Sequence, residues 1–400
     1  MNFHLGINYW PITSAMYWWR RFDAAEFARD CARIRAAGFD SLRIFLLWED
    51  FQPRPDQVSS GALRNLKQVA DIAHDEGLDL TVTLFTGHMS GVNWIPPWAL
   101  QPDQPATAQR FRIVSDGRVI NAAPRNWYSD QIVIDAQSLL AREVAGALSG
   151  HPAVWAWDLG NENSNCVVPP SRNEGIEWLT RIAGEIRSSA PSSVITIGLH
   201  MEDLEEDRNL GPPEAALVCD FLSMHGYPIY CDWAHGPTDA LLLPFLALMT
   251  YWLGGRDVLF QEFGVPTIPA SEDELVGVGG MPMLLSEIDA AEYTSEAIEL
   301  LNKFGMTGAM LWCYGDYSRE LWSEPPFDQA VHERYFGLWR ANGSSKPSVK
   351  VIENFQAGEV NGIADKFEWI DIKPEEFYKA PKENLRRLYK RFRASLRLDV

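Results

Sequence analysis

Eight short apolar runs, spread along most of the chain and separated by segments of helical periodicity, constrain the fold more than any other feature. They read HLGINYW (4–10), SLRIFLLW (41–48), LDLTVTLF (78–85), AVWAWDLG (153–160), SVITIGL (193–199), DFLSMHGY (220–227), DVLFQEFG (257–264) and TGAMLWCY (307–314). Several are nearly continuous in apolar residues, as parallel strands buried on both faces must be. Between the first two, DAAEFARDCARIRAAG sets Phe27, Cys31, Ile34 and Ala37 at helical spacing and closes on Gly38, a residue that ends helices by entering the left-handed region freely. GALRNLKQVADIAHDEG repeats the design and closes on Gly77. IVIDAQSLLAREVAGALSG, GIEWLTRIAGEIRSSA and EYTSEAIELLNKFG continue it.

Eight strands alternating with helices predict an α/β chain folded as a (β/α)8 TIM barrel. The competing open, doubly wound sheet usually carries a Gly-rich phosphate turn after its first strand, and GINYWPITSAM is not one. At 46% hydrophobic residues, 400 residues are ample for one large core. No internal repeat or Pro/Ser linker marks a second domain, so residues 1–358 read as the barrel and 359–400 as a C-terminal extension. Two connections are long: Gly87 to about Asp130 after the third strand, and Val265 to about Ser286 after the seventh. Long loops at strand C-termini are where a barrel builds its site.

The formal charge of −19 repels nucleic acid and anionic membranes as principal partners. No apolar run approaches the length of a membrane span. Seven basic and one acidic side chains over 382–397 give a local +6 and leave the rest of the chain at −25, with Leu385, Leu388, Phe392 and Leu396 on one helical face. The expectation is a terminal helix docked on the acidic barrel rather than a membrane-binding one. The N-terminus MNFHLGINYW has no basic region followed by an apolar one, which points to a cytoplasmic protein unless a leader has been removed. Five scattered cysteines suggest neither a disulfide framework nor a zinc site, and no cofactor is implied. The oligomeric state is not legible. Among 16 Trp, 19 Phe and 12 Tyr, the loop residues Trp94, Trp98, Trp127 and Trp322 offer flat faces on which a sugar ring could stack.

Polar residues at strand C-termini face the mouth of such a barrel. They form a coherent set: Asn8, Tyr9 and Trp10 on the first strand, Arg43, Trp48 and Glu49 on the second, His88 on the third, Asn161 and Glu162 on the fourth, His225 and Tyr227 on the sixth, Glu262 on the seventh, Trp312 and Tyr314 on the eighth. Two carboxylates stand out because each ends an apolar run, where an unpaired charge is costly. Glu162 and Glu262, facing each other across the mouth, are what a retaining glycosidase needs: one acid/base and one nucleophile, about 5–5.5 Å apart. Arg43 would keep a nucleophile ionised, and a dry setting beside a second carboxylate would keep an acid protonated. Asn161 can bind a sugar hydroxyl, Tyr227 can orient Glu262, and Trp312 can form the floor beneath the reacting ring. Asp158, His4 and His200 read as structural, and Trp48, Trp155 and Trp157 as core; Asp316 and Glu320 could reach a sugar without being required to.

The motifs LRIFLLW, LGNEN, HGYP, FQEFG and LWCYGD occur in this order with barrel spacing, and with them the chain resembles clan A of the glycoside hydrolases, most of all family 5, which holds cellulases, β-mannanases and β-mannosidases. The resemblance runs from the first strand to about Phe355. It implies Glu162 as acid/base and Glu262 as nucleophile, with Arg43, His88, Asn161, His225, Tyr227 and Trp312 lining the subsite of the cleaved sugar. Asn163 stands where the family usually has proline, which departs from the best-known cellulase branches, while GINYWP and the GHMSG loop are closer to mannosidase-like members.

These readings lead to a retaining hydrolase of β-linked mannosides or glucosides, leaning to exo action on a short oligosaccharide. The alternatives are an endo-acting β-mannanase or endoglucanase, and an inactive glycan-binding barrel. A metal-dependent hydrolase would want a His-x-His pair on the first strand; His4 stands alone, and no metal site is expected.

Overall fold

The computed structural model describes residues 3–107, 109–269, 283–358 and 367–396. Eight parallel strands close into a barrel: β1 (His4–Asn8), β2 (Ser41–Phe45), β3 (Asp79–Thr83), β4 (Val154–Asn161), β5 (Ile195–His200), β6 (Leu222–His225), β7 (Val258–Phe263) and β8 (Gly308–Leu311). Each pairs with its sequence neighbours, and β8 closes on β1. Six of the strands are shorter than their apolar runs, whose final residues leave the ladder to form the mouth; β4 and β5 instead continue one residue past theirs, to Asn161 and His200.

Helices follow the strands: α1 (Ala24–Ala36), α2 (Ser60–Asp75), α3 (Gln131–Ala147), α4 (Arg172–Ser189), α5 (Pro212–Ala215), α6 (Leu242–Gly254), α7 (Glu287–Lys303) and α8 (Pro347–Asn354). Local chemistry sets their ends. The Asp23 carboxylate accepts from the amides of Ala25 and Glu26 to start α1, as N-caps do. Gly38 (φ +104°) and Gly77 (φ +70°) follow the first two helices in the conformation that glycine tolerates best. The fifth helix is a single turn, in a stretch where the sequence shows no amphipathic repeat.

The long connection after β3 holds structure that the apolar pattern did not reveal. His88–Met89, Val92–Trp94, Arg112–Ser115 and Arg118–Ile120 form a four-stranded sheet, and Leu100–Gln101 pairs with Ala123–Pro124. Strands of two to four residues are too short to display a period. Of the other long connection, residues 270–282, including the Val-Gly-Gly-Met stretch, lie outside the described residues.

Helix α6 is apolar around its circumference, which calls for cover on two sides. The barrel provides one. The other is α9 (Pro381–Ser395), which buries Leu385, Leu388, Tyr389 and Phe392 and packs Tyr389 and Phe392 on Phe245, with ring centroids 4.8 and 5.7 Å apart. Its basic face meets acids of the body: Arg386 with Asp232 at 2.6 Å, Arg393 with Asp239 at 3.2 Å. Among the described residues, no helix is long and apolar enough to cross a membrane.

Candidate active site

Arg43 organises the mouth of the barrel. Its guanidinium, fully buried on β2, donates from Nη2 to Asp158 Oδ2 (2.7 Å) and to Asn161 Oδ1 (2.7 Å), and from Nε to Thr83 Oγ1 (2.9 Å). Nη1 donates to Asn8 Oδ1 (3.1 Å) and to Glu262 Oε1. Asp158 supplies the countercharge: it is fully buried, and its other oxygen accepts from the amide of Gly198 at 3.0 Å. A buried cation with a planar fork of donors fixes several acceptors at once, which a lysine could not do. Gly198 on β5 makes the space. A Cβ there would lie 3.0 Å from His225 Cε1 and 3.1 Å from Arg43 Nη2.

Glu262 is held at both oxygens. Arg43 takes Oε1, and the Tyr227 hydroxyl donates to Oε2 at 2.9 Å. Burial, then the Glu262 charge, pushes the Tyr227 phenol well above its ordinary range, so it remains a donor.

Glu162 ends β4 in the left-handed region (φ +48°, ψ +44°), after a register shift between Asp158 and Asn161. A non-glycine residue held there is strained, and the neighbouring contacts must hold it. His225 Nδ1 lies 3.0 Å from Glu162 Oε1, and Asn165 Nδ2 donates to Oε2 at 3.1 Å. A carboxylate oxygen of Glu162, one of Glu262 and a ring nitrogen of His225 all lie within 4.8 Å of one another.

These three groups are the set that could in principle ligate a cation among the described residues. The Arg43 guanidinium already occupies Glu262, and a second positive charge beside it would be repelled. The donor set suits proton transfer better than metal binding.

Proton placement departs from the sequence-based expectation. Burial pushes the Glu162 carboxyl up, but His200 and the bond and charge of His225 outweigh it and hold it well below the usual carboxylate range. Burial pushes His225 down, but the Glu262 charge and the bond to Glu162 outweigh that and raise it. The Glu162 carboxyl is thus held towards its ionised form, against the protonated form that a dry setting alone would favour. The reason is a histidine at hydrogen-bond distance that one-dimensional reasoning placed no closer than the same pocket. Burial keeps His88 below its ordinary value, hence neutral.

His88 sits in the small sheet beyond β3 rather than on the strand itself, with Nδ1 at 2.8 Å from Asn93 Oδ1 and its ring 4.2 Å from Phe111. Its carbonyl accepts from Asn161 Nδ2 at 2.6 Å. Trp312 is 4% exposed and lines the same pocket. The eight predicted residues are thus neighbours around Arg43 or along the walls of a 390 Å³ pocket.

Residues outside the predicted set divide between scaffold and pocket. Trp94 and Trp127 are buried, and the indole nitrogens of Trp98 and Trp322 are spent on backbone carbonyls. None of the four lines the pocket; its aromatic walls are Phe111, Tyr227, Tyr230, Trp312 and Phe336. His200, read as structural, lines the pocket and bonds Ser164 Oγ at 2.9 Å. Asp316 pairs with buried Lys346 at 2.6 Å and braces the chain beyond β8 instead of facing a ligand. Sequence reasoning also missed Asn165, Gln261 and Glu333. Asn165 and Gln261 stand beside the named motif carboxylates, which was the available signal; Glu333 lies in no motif.

No protein-family model matches the chain, and no curated protein matches it. Solved structures do. GH5_18 from Streptomyces cattleya, in complex with Manb1-4GlcNAc, superposes with a TM-score of 0.72 at 21% identity, covering 90% of this chain and 83% of that one. The exo-beta-1,4-mannosidase Op5Man5 from Opitutaceae bacterium strain TAV5 gives 0.69 at 25% identity over 88% of this chain; the match spans 58% of that enzyme's length. GH5_18 from Bifidobacterium longum gives 0.72 at 20% identity, covering 88% and 78%. All share the (β/α)8 barrel with this chain.

Proposed function

We propose that this chain is a family 5, clan A glycoside hydrolase that cleaves β-linked mannosides with retention of configuration, acting from the end of a short oligosaccharide. The observation that carries the reading is the pair of carboxylates, Glu162 and Glu262, with oxygens within 4.8 Å across the mouth. That fits the close spacing of a double displacement, about 5–5.5 Å, and not the separation of about 6.5–9.5 Å that an inverting enzyme keeps for its water.

Glu262, held by Arg43 and Tyr227, attacks the anomeric carbon. Glu162 delivers a proton to the departing glycosidic oxygen, then takes one from the water that hydrolyses the glycosyl-enzyme. Asn161, His88 and Trp312 bind the sugar that is transferred. The lean towards exo action rests on walls around the pocket: the sheet beyond β3 brings Phe111 and Arg110, and the segment after β8 brings His332 and Glu333. The lean towards mannose rests on the neighbours' names and ligand, including Manb1-4GlcNAc. A cytoplasmic setting would suit short imported oligosaccharides.

The test is a panel of aryl β-glycosides (mannoside, glucoside, galactoside, xyloside) with the native protein and Glu262→Ala side by side. Turnover of the mannoside, reduced on the order of 10³-fold or more in the variant, supports the reading. Turnover that survives in the variant sinks the site assignment. Turnover only of polymer would favour an endo-enzyme, and binding without turnover of anything a dead barrel.

A further inference from the structure

His225 touches three side chains. Nδ1 lies 3.0 Å from Glu162 Oε1 and 3.7 Å from Glu262 Oε2; Nε2 lies 3.0 Å from Gln261 Oε1. Gln261 is fully buried and sits beside Glu262 on β7. Neighbours on a strand normally face opposite ways, but the register of β7 on β8 shifts between Phe260 and Phe263. The irregularity lets consecutive residues 261 and 262 both reach the same imidazole. The backbone of Gln261 is fixed too, its carbonyl accepting from Asn8 Nδ2 at 2.9 Å.

An amide oxygen only accepts, so its partner Nε2 carries a hydrogen. With that hydrogen committed, Nδ1 of a neutral ring is a bare lone pair aimed at Glu162. Two bare acceptors 3.0 Å apart repel, so a proton must lie between them, as carboxylic acid against imidazole or as carboxylate against imidazolium. If Nε2 had no acceptor, the ring could move its hydrogen to Nδ1. It would then satisfy an ionised Glu162 while remaining neutral, and the unit would hold one proton fewer.

We propose that Gln261 is a positioning residue that locks His225 in the Nε2–H form, so that the bridge to Glu162 needs a second proton on the pair, one that can pass to the leaving group. This rests on the glycosidase reading. In the step itself the proton passes from Glu162 Oε1 to the glycosidic oxygen as the C–O bond breaks, and the bonding pair stays on that oxygen. The anomeric carbon bonds to Glu262, and proton count and charge balance without a further reactant. The charged and titratable groups facing the unit are Glu262 on β7, Arg43 on β2, His88 beyond β3, His200 at the end of β5, and the Tyr227 hydroxyl after β6. None of them occupies Nε2, which leaves Gln261 as the group that selects the tautomer.

The experiment combines two readouts on the full chain. The first is the ¹⁵N spectrum of the imidazoles, with His225 assigned by its loss in His225→Gln, for the native protein and for Gln261→Met, which keeps shape but removes the acceptor. Native His225 should show hydrogen on Nε2 across the pH range, and the variant should move to Nδ1–H once neutral. The second is kcat/KM against pH for aryl glycosides of graded leaving ability. In Gln261→Met, the alkaline limb should fall by about one pH unit. Poor leaving groups should lose roughly tenfold or more above it, and a dinitrophenyl glycoside, which needs no acid, should lose under about twofold. Gln261→Glu, which restores an acceptor, should bring back the alkaline limb. Hydrogen on Nδ1 in the native protein overturns the proposal. So does an equal loss for all leaving groups, which a merely structural role would produce. If the native protein turns over no glycoside, the functional reading falls, and the imidazole spectrum still decides the tautomer.

Discussion

Glu162 and Glu262 lie a hundred positions apart in the chain, yet their carboxylate oxygens come within 4.8 Å, with His225 touching both. Each is held by different partners: Glu262 by Arg43 and Tyr227, Glu162 by His225 and Asn165. Two carboxylates in one pocket with separate partners can be set to separate tasks.

If the two act as nucleophile and acid/base, truncating each should leave a different chemical trace. Glu262→Ala with azide should form a glycosyl azide of inverted configuration, because azide replaces the nucleophile in one displacement. Glu162→Ala should release activated aryl glycosides and give the azide with configuration retained. Proton NMR of the anomeric signals checks this, and identical products from both variants would contradict the assignment.

Removing Arg43 leaves Asp158 and Glu262 buried without their countercharge. Breaking a buried pair from one side costs about 3–5 kcal/mol. Arg43→Leu should therefore unfold at markedly lower denaturant and be inactive. Arg43→Lys should recover part of the stability but little activity, since one ammonium cannot replace the fork that reaches Asn161 and Glu262. Urea titrations beside kcat/KM separate the two effects.

Stability should vary with pH in a defined sense. His225 is raised above its ordinary value of about 6.5; its contribution is complete below that pH and fades as pH rises through the raised value. Glu162 is depressed; its contribution is complete above about pH 4.5 and is lost only as pH falls through the lowered value. The two overlap in mildly acidic solution, where this part of the molecule should be most stable. His225→Gln should abolish its share of the alkaline decline. Melting temperatures measured from pH 4 to 9 for both proteins test it, and parallel curves would count against the pair.

Gly198→Ala places a methyl group against His225, Arg43 and the Gly160 carbonyl, each within 3.1 Å of the ideal Cβ. Overpacking of this kind costs about 1–3 kcal/mol. The displaced groups belong to the site, so activity should fall by far more than the fold is weakened. Retained activity would show that β5 can yield without moving His225.

Phe392 is 1% exposed and packs on Phe245, Trp369 and Phe304 with centroids 5.2–5.7 Å away. Phe392→Ala should cost about 3–5 kcal/mol, while turnover below the melting point stays near native, since α9 lies outside the pocket. Calorimetry and a steady-state assay at low temperature distinguish this from an indirect effect on the site.

How much of this was legible beforehand differs by scale. Helix ends at Gly38 and Gly77, the position of each strand, and the crowding of polar residues at strand C-termini all follow from periodicities within a few residues. The loop tryptophans misled because a large apolar ring beside Pro or Gly is as useful for packing a wall as for binding a sugar, and only burial tells them apart. The small sheet beyond β3 escaped notice because its strands are too short to show alternation.

The (β/α)8 order and the residues that end the strands are written in the chain, because strand and helix patterns are local and barrel closure follows from their alternation. Which of those residues touch depends on the folded barrel. The strained turn at Glu162, the register shift that aims both Gln261 and Glu262 at His225, and the glycine that lets Arg43 reach across the mouth fix contacts of about 3 Å between distant segments. A displacement of one ångström would break such contacts, and no pattern along the chain has that resolution.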